Sequence, residues 1–319
     1  MLRSRLGSAS GALLPLAVAL SLCHTKTSSA VVGYPLLLLE PEARSASRGE
    51  SALALREGLE GFFQQPAATA WMDDEALAAC YVDHVQDIQA LGTCWATPRP
   101  APWVLGAGVL RLDYGRLGGL DESGEGTGDF DAGETLLLVG AARRLPDWGG
   151  GRLAAGAQAG LILGSIADAS SSAWLASAGA AWRRGQLSLG AAARNLGQVI
   201  SDYGAAKGEL PATVEAGAAW RLAHLPFTWS LGWQKIRGRD AFTKVGGEFL
   251  IAGRWRLDAG YHVERGDERI AGADGESGRG FSLGVGGALP HGLDLQWGWS
   301  SYGALGSLNR LSLTWRYRQ

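Results

Sequence analysis

The sequence has no run of 18 or more apolar residues, so no segment is long enough to cross a bilayer as a helix. Charge is also scarce: Asp, Glu, Lys and Arg make up 19% of the chain, below the roughly 25% usual in soluble domains. That excludes a chain kept disordered by charge repulsion. A net charge of −2 provides no global basicity to recruit nucleic acid. Proline is limited to 11 residues and no G-X-Y period occurs, which excludes collagen and disordered proline-rich spacers. Catalytic signatures are missing as well. G-x-S-x-G, H-E-x-x-H, the P-loop and C-x-x-C are all absent, so no enzyme class, metal or cofactor is expected.

Glycine and tryptophan are plentiful instead. The chain has 48 Gly in 319 residues, about twice the usual ~7%. Its aromatics are 13 Trp, 7 Tyr and 7 Phe, a Trp-heavy set typical of chains at membrane interfaces. The first thirty residues read as a secretory signal: Arg3 and Arg5, an apolar stretch Ala12 to Leu22, then Ser28-Ser29-Ala30 for cleavage. Losing residues 1–30 removes Arg3, Arg5 and Lys26 and no acid, which moves the charge from −2 to −5. Cys80 and Cys94 then remain, in a chain sent to an oxidising compartment.

From about residue 78 the chain alternates with period 2 between regular breaks. Leu187, Leu189, Ala191 and Ala193 oppose Ser188, Gly190, Ala192 and Arg194. Trp255, Leu257, Ala259 and Tyr261 oppose Arg256, Asp258 and His262. Such segments are strands with one apolar and one polar face. About fourteen are expected: 78–84, 89–97, 103–114, 133–144, 152–163, 173–183, 186–196, 213–223, 227–236, 243–251, 255–265, 280–289, 293–301 and 308–317. Long connections (115–132, 197–212, 266–279) alternate with short ones (184–185, 224–226, 252–254, 290–292), so all long loops fall at one end. A soluble sandwich has no reason to sort its loops this way, whereas an outer-membrane barrel does. The expected fold is all-β: an antiparallel transmembrane β-barrel of about 14 strands, residues 78–319, in the outer membrane of a Gram-negative cell.

Candidate functional residues follow from that geometry. Arg194, Arg221, Arg254 and Arg256 fall on predicted inward positions, as do Glu215, Glu248, Asp258 and Glu264, so the lumen should be salt-bridged. His262 shares this face, as lumen filling or as part of a proton relay. Fourteen strands lie between filled eight-stranded barrels and sixteen-stranded aqueous porins, so closing the lumen needs residues 31–77. In the long loops, Tyr203 is the best candidate for a partner-binding anchor. The acidic, Gly-rich stretch 121–134 is a solvated loop or, less simply, a calcium site. Finally, a hairpin centred near Asp87 would oppose Cys80 to Cys94 and permit a disulfide; the alternative is two buried thiols.

Several motifs resemble a known family. They are Leu36-Leu37-Leu38-Leu39-Glu40-Pro41-Glu42-Ala43-Arg44, Ser47-Arg48-Gly49-Glu50-Ser51-Ala52 and Gln65-Pro66-Ala67. Together they resemble the N-terminal signature of the PorV/PorQ outer-membrane proteins, FadL-like barrels associated with type IX secretion. Arg48-Gly49 stands where that family has Met-Gly, and Gln65-Pro66-Ala67 where it has Asn-Pro-Ala. Asn195-Leu196-Gly197, Ser201-Asp202-Tyr203, Leu210-Pro211 and Gly128-Asp129-Phe130 are closer to the PorQ branch. The resemblance implies a non-enzymatic component of the secretion system, anchoring or shuttling attachment-complex proteins at the cell surface. It also implies that residues 31–77 form a hatch. The alternative within the same fold is a FadL-like transporter that takes hydrophobic, lipid-like ligands through its lumen and a lateral opening.

Overall fold

The computed structural model describes residues 33–120, 123–203, 208–267 and 278–317. The signal sequence expected at 1–30 lies outside them. Fourteen antiparallel strands close into a barrel. They are β1 (Glu75–Asp83), β2 (Gln89–Thr97), β3 (Trp103–Leu120), β4 (Gly126–Trp148) and β5 (Gly151–Ile166). Next come β6 (Ala169–Arg184), β7 (Leu187–Ser201), β8 (Thr213–Arg221), β9 (Phe227–Ile236) and β10 (Phe242–Ile251). β11 (Trp255–His262), β12 (Phe281–Ala288), β13 (Leu293–Ser301) and β14 (Ser307–Tyr317) complete the wall, and β1 pairs with β14 to leave no edge. Closure matters because lipid cannot satisfy an open row of backbone groups.

The outward residues of this wall are large and apolar. Leu77, Leu137, Leu161, Leu257, Leu283, Leu311 and Leu313 are all exposed, an impossible surface in water and the required one in lipid. The aromatics sort by height. Trp95, Trp103, Trp148, Trp220, Trp229, Trp255 and Trp315 all lie outward near the short-turn end of their strands. They form the girdle that marks the membrane–water boundary on that side.

Two expectations about connections need correction. Residues 115–132 are mostly not a loop: β3 and β4 continue above the barrel as a paired ribbon, with Arg116 opposite Asp131 and Gly118 opposite Asp129. Pairing satisfies backbone groups that a free loop would leave to water. The strand expected over 255–265 stops at His262 and gives way to a single helical turn, Val263–Asp267.

The Cys80–Cys94 disulfide is also corrected. The β1–β2 turn centres on Gln86 and not Asp87, with Gln86 and Asp87 both at φ +60. Cys80 therefore faces Gly92, and Cys94 faces Ala78. Both thiols stay on the inward face but two positions out of register, and both are free and buried. Mass spectrometry of unreduced protein should find Cys80 and Cys94 alkylated by a thiol reagent after unfolding and protected before it. A mass lower by two hydrogens with no labelling would contradict this register.

Residues 33–74 lie inside the barrel. The lumen they fill has two chemically different halves. From β1 to β6 the inward residues are mostly apolar, among them Ala78, Val82, Leu110, Leu112, Leu136, Leu138, Ile162 and Leu175, with Glu134 and Gln158 among the exceptions. From β7 to β14 they are mostly polar or charged: Arg194, Glu215, Gln234, Lys244, Asp258, Asp294, Gln296 and Arg310. The internal segment matches both halves. It turns Leu36, Leu37, Leu59, Phe62 and Phe63 to the first, and Arg44, Arg48, Glu50 and Arg56 to the second.

Its backbone consists of short 3-10 turns and one helical turn, which leave many amides and carbonyls unpaired. Wall side chains pair with them. Ser312 accepts from the Ala43 amide at 3.0 Å and Ser282 from the Gly49 amide at 2.9 Å, while Arg310 donates to the Glu40 carbonyl at 2.8 Å. Asn195, in the left-handed conformation that Asn tolerates, donates to the carbonyls of both Leu37 and Pro211.

Glycine explains how the segment fits. Gly298, Gly284, Gly260, Gly246, Gly232, Gly217 and Gly190 line β13 back to β7. The chain meets them in order: Ala43, Ser47, Arg48–Gly49, Arg48 again, Ser51, Leu53 and Ala54. The internal segment is a strip laid around the inner wall in a glycine groove.

Candidate functional site

Of the sequence-predicted lumen residues, six lie inside the barrel, in two charge clusters. Arg194 pairs with Glu215 at 3.2 Å, and Lys244 bridges Glu215 (3.6 Å) to Glu50 (3.5 Å). Glu248 is held by Arg44 at 2.7 Å and faces Arg48 at 3.7 Å, and Asp258 lies 3.8 Å from Arg48. Arg256 grips Asp294 with both terminal nitrogens, and His262 faces Glu50 at 3.7 Å. Except for Arg194–Glu215, the six find partners elsewhere, chiefly on the internal strip. Those partners carry a signal in hindsight: Glu40, Arg44, Arg48, Glu50 and Arg56 are five of the six ionisable residues in the short stretch 40–56, and each one needs a counter-charge when buried.

The other three are placed differently. Arg221 is the last residue of β8 and is exposed at the turn-side mouth. Arg254 is exposed in the β10–β11 turn, where it donates to the Ala288 carbonyl at 2.7 Å and lies over the Trp255 ring. Both sit where strands end, beyond the reach of the lumen alternation. Glu264 follows β11 on the helical turn and lies 3.9 Å from Arg239. Tyr203 leans in over the rim, its hydroxyl against Gly164. Among the described residues, no group of three or more His, Cys, Asp or Glu side chains could hold a metal.

Two hollows lie on either side of the apolar half of the barrel wall. The first, of about 480 Å³, lies between the internal strip and the loop-side end of the barrel. Leu38, Leu39, Ile88, Leu112, Ile236, Phe242 and Leu305 give it apolar walls, with Tyr114 and Tyr302 at its sides. Its charges are already matched. Burial opposes ionisation of Glu50, but Arg265, Lys244 and His262 outweigh it and hold the carboxyl well below the usual carboxylate range. Arg265 bonds Glu50 and stacks on Tyr302 at 4.4 Å, and Glu40 is bonded by Arg56. What remains open to a guest is mainly hydrocarbon surface, with the neutral polar groups of Gln234 and Tyr114 among it.

The second hollow, of about 740 Å³, is a groove on the lipid side of β1 to β5. Small residues Thr93, Ala107 and Ala159 form its floor between Leu77, Trp95, Leu137, Val139 and Leu161. The wall behind it is thin: a Cβ on Gly106 or Gly108 would lie 2.7 or 2.8 Å from the Phe62 ring. Phe62 belongs to one apolar cluster with Leu36, Leu110 and Leu112, against which Leu39, Ile88, Tyr114 and Tyr302 of the first hollow pack.

The barrel is similar in fold to solved outer-membrane channels. The Ralstonia pickettii toluene transporter TbuX superposes with a TM-score of 0.58 at 11% identity, covering 87% of this chain and 98% of that one. The monoaromatic hydrocarbon channel CymD gives 0.61 at 11%, covering 90% and 100%. A Pseudomonas aeruginosa FadL homologue gives 0.53 at 13%, covering 87% and 98%. At such identities the likeness is one of fold. No family model matches the sequence, and no curated protein does. The chain is an outer-membrane β-barrel.

Proposed function

We propose that this barrel is a channel for small, neutral, hydrophobic molecules, which enter at the loop-side hollow and leave sideways through the β2–β5 wall into lipid. The observation that carries this reading is the single apolar cluster connecting the two hollows around Phe62. A hollow of about 480 Å³ falls in the range of ligand sites, and its ion-paired charges leave no free partner for an ionic guest. The secretion role implied by the PorV/PorQ resemblance has no comparable feature behind it.

Uptake of toluene into cells expressing the barrel tests the channel directly. Tryptophan at Ala107 and Ala159, both outward-facing, should fill the groove and slow uptake several-fold while the barrel stays folded. Unchanged uptake in that double variant would remove the lateral exit. No uptake above cells lacking the barrel, with surface proteins retained on the purified barrel, would favour the secretion reading instead.

A further inference from the structure

A third cavity, of about 240 Å³, opens at the turn-side mouth, at the far end of the barrel from the loop-side hollow. Five arginines line it: Arg44, Arg48, Arg152, Arg183 and Arg221. The deeper two are compensated, Arg44 by Glu60 and Glu248, Arg48 by Glu248 and Asp258. Of the outer three, only Arg183 is. Two acids line the cavity: Glu248, already held by Arg44 and Arg48, and Glu57, which is bonded to Arg183.

Two further features suit these groups to a guest. Arg152 and Arg183 are stacked on the Trp71 ring at 5.4 and 4.7 Å, which fixes their guanidinium planes. Arg48 is 2% exposed and its Nη1, 3.7 Å from Glu248, makes no hydrogen bond; the buried Nε of Arg183 makes none either. Buried donors without acceptors are costly, and a bound acceptor would remove that cost. Arg221 makes no ion pair among the described residues.

We propose that this cavity binds an oxyanion of the phosphate class, held between Arg221, Arg152 and Arg183 at the mouth and the Arg48 Nη1 donor below. Guanidinium forks match phosphate oxygens in pairs, and three of them on one small cavity exceed what Glu57 can neutralise. The site is independent of the channel reading. The phosphate can come from solution or from the headgroup of a phospholipid in the inner leaflet.

Calorimetric titration of the detergent-solubilised barrel with inorganic phosphate tests it. One saturable site is expected, weakening as salt rises. Arg221→Ala and Arg152→Ala should each weaken it by about ten-fold, near 1.4 kcal/mol. Both residues are exposed, so the barrel should fold, which heat-modifiable migration in gels will verify. Arg116→Ala, in the ribbon at the opposite end, should leave binding intact. Nanodiscs of phosphatidylglycerol that abolish phosphate binding would identify the headgroup as occupant, and undiminished binding there would identify the free anion. Absence of saturable binding in detergent, or equal binding in the Arg221 and Arg152 variants, would overturn the proposal.

Discussion

Deleting residues 36–70 is expected to turn a barrel that is silent in planar bilayers into one with large, steady conductance. The strip fills the lumen on both of its chemical faces, and a fourteen-stranded wall without it encloses space that side chains alone do not fill. The wall itself should survive, because its fourteen strands close on one another through their own backbone hydrogen bonds. The lost burial of Leu36, Leu37, Leu53, Leu59, Phe62 and Phe63 removes about 2 kcal/mol for each. Water entering the emptied lumen hydrates the charges left behind. Those charges are Arg194, Lys244, Arg256 and Arg310 against Glu134, Glu215, Glu248, Asp258 and Asp294, so the opened pore should discriminate little between anions and cations. A deletion variant that folds and still conducts nothing would show that wall side chains collapse into the gap. If it fails to fold, Glu40→Ala gives a milder test. It strands Arg56, buried at 3% exposure, at about 3–5 kcal/mol, and should give flickering openings.

Gly260→Val should displace the strip without touching a charge. A Cβ at Gly260 would fall on the backbone of Arg48 and Gly49, and backbone cannot swing aside as a side chain can. The neighbouring contact is equally tight from the other side, since Gly49 sits at φ +62 against the Tyr261 backbone. Overpacking of this kind costs about 1–3 kcal/mol, here at the upper end. Trypsin reports the result, because Arg44, Arg48 and Arg56 lie on the strip and are shielded while it is seated. Rapid cleavage after these arginines is expected in Gly260→Val and slow cleavage in the parent. Gly118→Val, at a position with open space around it, should behave as the parent. Equal protection in both variants would mean that the groove yields.

The barrel was readable because period 2 survives in a single sequence. A strand such as Trp255–His262 declares its faces by alternating Trp255, Leu257, Ala259 and Tyr261 with Arg256, Asp258 and His262. Loop lengths then placed the strands in a membrane. The chemistry of the lumen was only partly readable. Arg256, Asp258 and His262 could be assigned to the inside, since parity is local. Their partners could not, because Arg44 meets Glu248 across 204 residues and only the path of the strip brings them together. At strand ends parity loses meaning, which is why Arg221 and Arg254 were placed in the lumen and emerge outside it. The cysteine pairing failed for a similar reason. Moving a turn's centre by one residue moves every opposed pair by two, and no alternation records where a turn is centred.

The glycine groove also decides how the strip would respond to force. A cork resists as a whole, and all of its contacts must fail together. A strip that meets Gly298, Gly284, Gly260, Gly246, Gly232, Gly217 and Gly190 one after another can instead be peeled. A pull from its leading end would break the Asn195 and Arg310 bonds to Leu37 and Glu40 first, then the contact at Gly298, and pass the load to the next. The peak tension is then set by one contact and the total work by all of them. A lifted end could open a crevice beside β13 while the stretch from Leu53 to Phe63 stays seated against β7, β8 and the apolar wall. In an optical trap, unplugging this barrel should therefore give a low, stepped plateau and not a single rupture.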